Sequence, residues 1–132
     1  MVTKPSDPKL TDRLFLVVNA GCKEDDFAHI AAKLGGKVKI ERLEDRALLA
    51  LQGPASPQAA AKLFGDVVLT QPFMSQLELS YEGIDCLISR AGYTGEDGYE
   101  ISIPQADAET IARKLLSDDS VEAIGLGARD SL

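Results

Sequence analysis

A chain of 132 residues that is 45% hydrophobic and 27% charged, with neither a low-complexity tract nor a repeat of fixed period, has the material for one moderate core and reads as a single globular piece. Its formal charge of -7, with no cluster of Lys and Arg, excludes the electrostatic footprint of a nucleic-acid or anionic-membrane surface and leaves small molecules or proteins as partners. No apolar run approaches the roughly 18 residues that span a bilayer, and Lys4, Pro5 and Asp7 stand where a signal peptide would need an apolar core, so a soluble intracellular protein is expected.

In chain order, residues 1–12 are polar with two prolines and read mostly as loop. Leu14-Phe15-Leu16-Val17-Val18 is a continuous apolar run that predicts a strand buried on both faces, ending at Asn19-Ala20-Gly21. A helix follows: Glu24, Asp25 and Asp26 suit the positive end of its dipole, Phe27, Ile30, Ala31 and Leu34 form a core-facing stripe, and Gly35-Gly36 stops it. His29 flanks that stripe with no Cys or His at ligand spacing, and Cys22 and Cys86 lie far apart without a CxxC, so structural histidine, reduced thiols and no metal are expected.

Val38 and Ile40 alternate with charged residues and predict a half-exposed strand; after Glu44-Asp45-Arg46, residues 47–51 predict a buried one. Ser56-Pro57 reads as an N-cap and N1 pair opening a short helix with Ala60, Leu63 and Phe64 on its buried side. Residues 66–74 are irregular, and Glu82-Gly83 is a tight turn pairing the strand of Leu77 and Leu79 with residues 84–90. Ala108, Ile111, Ala112 and Leu115 mark a further helix, with residues 121–124 as its partner strand, and residues 127–132 resemble the first turns of another helix. The sum is an α+β chain with mostly antiparallel sheets and strand-helix-strand units, divided into residues 1–45, a β-α-β part of one subdomain, and residues 46–132, part of a second.

The stretch richest in chemistry is Arg90-Ala91-Gly92-Tyr93-Thr94-Gly95-Glu96-Asp97-Gly98-Tyr99-Glu100, a glycine-rich loop between two runs of strand period, with Asp97-Gly98 as a turn dipeptide. Because side chains alternate along a strand, Glu100 points away from the face shared by Tyr99, Ile101 and Ile103. That is either a carboxylate held rigidly for a ligand or a solvated residue of an ordinary hairpin.

Four runs in this order, Val18-Asn19-Ala20-Gly21, Leu48-Leu49-Ala50-Leu51-Gln52-Gly53-Pro54, Gly92-Tyr93-Thr94-Gly95-Glu96-Asp97-Gly98-Tyr99-Glu100 and Gly125-Leu126-Gly127-Ala128-Arg129-Asp130-Ser131-Leu132, resemble the aminomethyltransferase, or T-protein, of the glycine cleavage system over nearly the whole chain. The resemblance implies the folate-binding T-protein fold and transfer of an aminomethyl carbon from the lipoyl arm of the H-protein to tetrahydrofolate, releasing ammonia. Tetrahydrofolate is then the acceptor substrate, lipoylated H-protein the partner, and the compartment bacterial cytoplasm or mitochondrial matrix.

It also implies a folate site in which Glu100 grips the pterin, Tyr93 lines the same pocket and Arg129 contributes. A carboxylate can accept two adjacent pterin N–H groups, and an acidic protein needs a local arginine for folate's anionic tail. Asn19 is either an amide near the reacting carbon or a turn residue at a strand end.

The family's Gly-Gly…Asp-Asp segment, with its catalytic aspartate, is expected upstream of Met1, and a folate-closing domain beyond Leu132, so the stretch alone would contain no catalytic residue and be inactive. Two relatives of the family remain as alternatives: the folate domain of a dimethylglycine or sarcosine oxidising enzyme, and a non-catalytic folate-binding iron-sulfur assembly protein. The latter has a Lys-Gly-Cys-Tyr-x-Gly-Gln-Glu loop, whereas the loop here, Ala91-Gly92-Tyr93-Thr94-Gly95-Glu96-Asp97, has no cysteine.

Overall fold

The period-2 runs in the second half of the chain set the architecture of the computed structural model, which describes residues 1–131 without the side chain of Arg129. Strands β1 (Val2–Pro5), β2 (Phe15–Leu16), β3 (Arg46–Gln52), β4 (Ser75–Tyr81), β5 (Ile84–Arg90) and β6 (Gly98–Pro104) form a six-stranded sheet in the order β2-β1-β4-β5-β6-β3. Only β1 and β4 run parallel; the other neighbours are antiparallel. Helices α1 (Lys23–Leu34), α2 (Ser56–Phe64), α3 (Ala108–Leu116) and α4 (Leu126–Arg129) complete the α+β fold.

The core lies on one face of the sheet. Leu51, Cys86, Ile88, Tyr99, Ile101 and Ile103 point from the strands toward Ala59, Ala60 and Phe64 of α2, Ile111 and Leu115 of α3, and Val68 of the 3-10 turn Asp66–Thr70. Burying such aliphatic side chains is worth about 1.5–3 kcal/mol each, so this layer holds β3, β5 and β6 in place. Glu82 (φ 51) and Gly83 (φ 84) both adopt positive φ in the β4–β5 turn, the geometry that matches the twist of a two-residue hairpin. The Ser56 hydroxyl donates to the Asp97 carbonyl at 3.0 Å instead of capping α2, whose N-cap is Ala55; a residue expected to serve its own helix instead ties that helix to the glycine-rich loop.

The first third of the chain departs from its sequence pattern. The expected loop over residues 1–12 contains β1, held by Lys4 N–H to the Met74 carbonyl (3.2 Å) and Ser6 N–H to the Gln76 carbonyl (2.6 Å). Backbone pairing, which any residue type can supply, outweighs the polar composition. The apolar run 14–18 yields only the short edge strand β2, with Leu14 and Leu16 exposed. The stripe of α1 packs into no core: none of its residues is buried. Instead of a strand, Val38 makes an isolated bridge to Gly35, and Val38 and Ile40 are exposed.

Two later expectations also change. Residues 47–51 do form a strand, but β3 lies at the sheet edge and Leu48 is exposed. Residues 121–124 form no strand; Val121 packs against the core while Ile124 is exposed. Among the described residues, the buried hydrophobic cluster draws only on those after Arg46, whereas the sheet continues across that point through β1 and β2.

Candidate functional site

On the sheet face opposite the helices, strand register aligns a row of polar side chains. Gln76 of β4 stands opposite Ser89 of β5, Ser89 opposite Glu100 of β6, and Glu100 opposite Ala50 of β3. Gln76, Ser89 and Glu100 are buried, as are Thr3 and Ser102. Glu100 is therefore not a solvated edge residue: β6 runs between β5 and β3, and Glu100 keeps only 8% of its surface. The Thr3 and Ser89 hydroxyls lie 3.4 Å apart, and Arg46 closes one end of the face by donating from Nε to Ser102 Oγ at 2.9 Å. A carboxylate buried among hydroxyls and amides on rigid strands is arranged to accept oriented N–H donors.

The loop beside this row is pinned at both ends. Arg90 donates to Asp97 through Nε at 3.0 Å and Nη2 at 2.5 Å, and its Nη1 donates to the Gln71 carbonyl at 2.8 Å. Gln52 donates from Nε2 to the Ala91 carbonyl at 2.9 Å and the Tyr99 carbonyl at 3.3 Å, and accepts from the Thr94 hydroxyl at 3.3 Å. A Cβ at Gly92 or Gly98 would collide with the Gln52 amide, so these glycines are required by close approach. Beneath them the Tyr99 hydroxyl donates to the Val68 carbonyl at 3.1 Å, and burial pushes its pKa up.

The hydrogen bonds from Arg90 hold the Asp97 carboxyl below its ordinary value of 3.8. A depressed carboxyl pKa adds stability above the unfolded-state value, and that stability is lost as pH falls through the folded-state value. Asp97→Asn should therefore lower stability at pH 7 by about 1 kcal/mol after solvent screening, and the gap to wild type should close below about pH 4. Urea unfolding at several pH values checks this; a gap that stays constant with pH would remove the ionic contribution.

Tyr93, exposed at the loop tip, lines an open cleft of about 330 Å³ with Asn19, Met1, Val17 and His29. The structure thus brings Tyr93 and Asn19 together, while Glu100 lies outside that cleft's lining, on the sheet face. Asn19 precedes the 3-10 turn Ala20–Cys22 without capping it through its side chain. The side chain of Arg129 lies outside the described residues. Among the described residues no cluster of three or more His, Cys, Asp or Glu could hold a metal, and no helix is long and apolar enough to cross a membrane. Both cysteines are free, and burial pushes the Cys86 thiol up.

Gln76, Ser89 and Thr3 were not recognisable as one group in the sequence, where outward-facing polar residues of a strand read as solvated. The available signal was that all three are uncharged, whereas solvated strand faces favour Lys and Glu.

A helix-backed sheet whose other face buries a carboxylate beside a pinned, glycine-rich loop defines an α+β architecture. The family model described as the GCVT N-terminal domain matches residues 9–132, and the chain belongs to that family. It is 40% identical to the mitochondrial aminomethyltransferase of Dictyostelium discoideum, covering 92% of this chain and 34% of that protein. It is 42% identical to the mitochondrial aminomethyltransferase of Solanum tuberosum, covering 92% of this chain and 32% of that protein. To the probable mitochondrial aminomethyltransferase of Schizosaccharomyces pombe it is 41% identical, covering 89% and 31%. The chain thus spans about a third of the length of the curated relatives it matches.

Proposed function

We propose that this chain supplies the pterin-holding part of a tetrahydrofolate-dependent aminomethyltransferase of the glycine cleavage system. The observation that carries this reading is Glu100, buried on the sheet face opposite the helices inside a loop-strand motif of a GCVT-family chain. Its carboxylate accepts the adjacent N–H groups of the pterin and fixes the ring's orientation. Tyr93 flanks the reacting end, Arg129 meets the anionic tail, and Asn19 lines the cleft beside Tyr93. In the overall transfer, the carbon's bonds to the lipoyl sulfur and to nitrogen break and bonds to two folate nitrogens form. The two protons those nitrogens lose end on the lipoyl thiol and on ammonia.

The names of the relatives, which say mitochondrial, support a mitochondrial setting if the source is eukaryotic; bacterial cytoplasm is our reading for a bacterial source. The division after residue 45 belongs to the same proposal; the restriction of the core to later residues supports it.

The test is to mix the full-length gene product with aminomethylated lipoyl H-protein and tetrahydrofolate and measure ammonia and methylenetetrahydrofolate. Equimolar formation of both is expected. Folate binding without either product would favour the non-catalytic alternative, and products formed only from dimethylglycine or sarcosine would favour the oxidising enzymes.

A further inference from the structure

Three buried glutamines or half-buried ones surround the loop and the polar face, and two of them have their amide donors satisfied. Gln71 Nε2 donates to the Ser75 carbonyl at 2.9 Å and to the Ile88 carbonyl at 2.7 Å, and Gln52 Nε2 serves Ala91 and Tyr99. Gln76 differs: it keeps 3% of its surface, and among the described residues no group accepts from its Nε2. A buried amide donor without an acceptor carries the full desolvation penalty, which leucine at the same strand position would not incur. Structural need therefore does not account for glutamine here.

Its position does. Gln76 lies on the Glu100 face, one strand from Ser89 and two from Glu100. With strands about 4.8 Å apart, the Cα atoms of Gln76 and Glu100 are separated by ~10 Å. Two hydrogen bonds plus the short edge between a ring N–H and its neighbouring carbonyl fill roughly that span. The donor and acceptor types also match. A pterin carries its N–H donors directly beside a ring carbonyl, so a site with an acceptor at Glu100 needs a donor next to it.

We infer that Gln76 is a second specificity residue for the pterin, donating from Nε2 to the ring carbonyl while Glu100 accepts from the adjacent N–H groups; this rests on the folate reading of Glu100. The pair reads the polarity of the whole edge. A ring with an amino group in place of the carbonyl presents a donor to a donor and is rejected.

The experiment is calorimetric titration of tetrahydrofolate, and of the analogue with that amino group, into the full-length gene product and its Gln76→Leu and Gln76→Glu variants, with melting temperatures recorded. Gln76→Leu should weaken tetrahydrofolate binding by roughly 5–100-fold while leaving the melting temperature unchanged or higher, because it removes an unsatisfied donor. Gln76→Glu should shift the ratio of the two affinities toward the amino analogue by about tenfold or more. If wild type binds tetrahydrofolate and Gln76→Leu binds it equally well, the role of Gln76 is refuted and that of Glu100 stands. A parallel fall in melting temperature and affinity for Gln76→Leu, with the ligand ratio unmoved in Gln76→Glu, would make Gln76 structural and overturn the inference. Failure of wild type to bind tetrahydrofolate at all would overturn both.

Discussion

Glu100→Gln is expected to weaken tetrahydrofolate binding by about 2–5 kcal/mol, roughly 30-fold to several thousandfold, without unfolding the protein. The substitution preserves shape and replaces one acceptor oxygen with an NH₂ that faces a pterin N–H. Donor then meets donor at a residue with 8% of its surface exposed, where water cannot intervene. Glu78 provides the control: it occupies the same face of the sheet on β4, two residues beyond Gln76, and is exposed. Glu78→Gln should leave affinity unchanged, since a solvated carboxylate loses almost nothing on neutralisation. Calorimetric titration of both variants, with melting curves to show that they remain folded, separates the two positions. Equal dissociation constants for wild type and Glu100→Gln would take Glu100 out of the site.

The second large effect falls on stability. Ile101→Ala should destabilise the protein by about 3–4 kcal/mol, because Ile101 is fully buried between β5, β3 and the helices and its removal leaves a cavity the close-packed surroundings cannot fill. Leu48→Ala deletes a side chain of similar size from β3, yet Leu48 is 45% exposed and should cost less than about 1 kcal/mol. Urea midpoints measure the contrast. Similar losses at the two sites would mean that β3 is covered on its outer face in solution.

That contrast shows where sequence pattern stops being informative. The period-2 runs around Glu82-Gly83 and the glycine-rich loop specified β4, β5 and β6 and their antiparallel pairing, because alternation and tight-turn residues act locally. The same logic put Glu100 on the face opposite Tyr99, Ile101 and Ile103, as in the register. Leu48, in the run 47–51 expected to be buried, is exposed for a different reason: a continuous apolar run looks the same in a central strand and an edge strand, and strand order is a property of the assembled sheet. The run 14–18 departs for the same reason, and the polar β1 has no sequence signal because its ladder with β4 is made by backbone groups, which any residue type supplies.

Local chemistry thus determined the α+β class, the hairpin, the loop motif and the facing of Glu100. Only the tertiary structure decided that Glu100 is buried, that Gln76 and Ser89 extend its row, and that Tyr93 shares a cleft with Asn19. The physical reason is that burial and side-chain proximity across strands depend on which segments stack beside one another. Residues 76, 89 and 100 belong to three strands, and no local periodicity encodes their alignment.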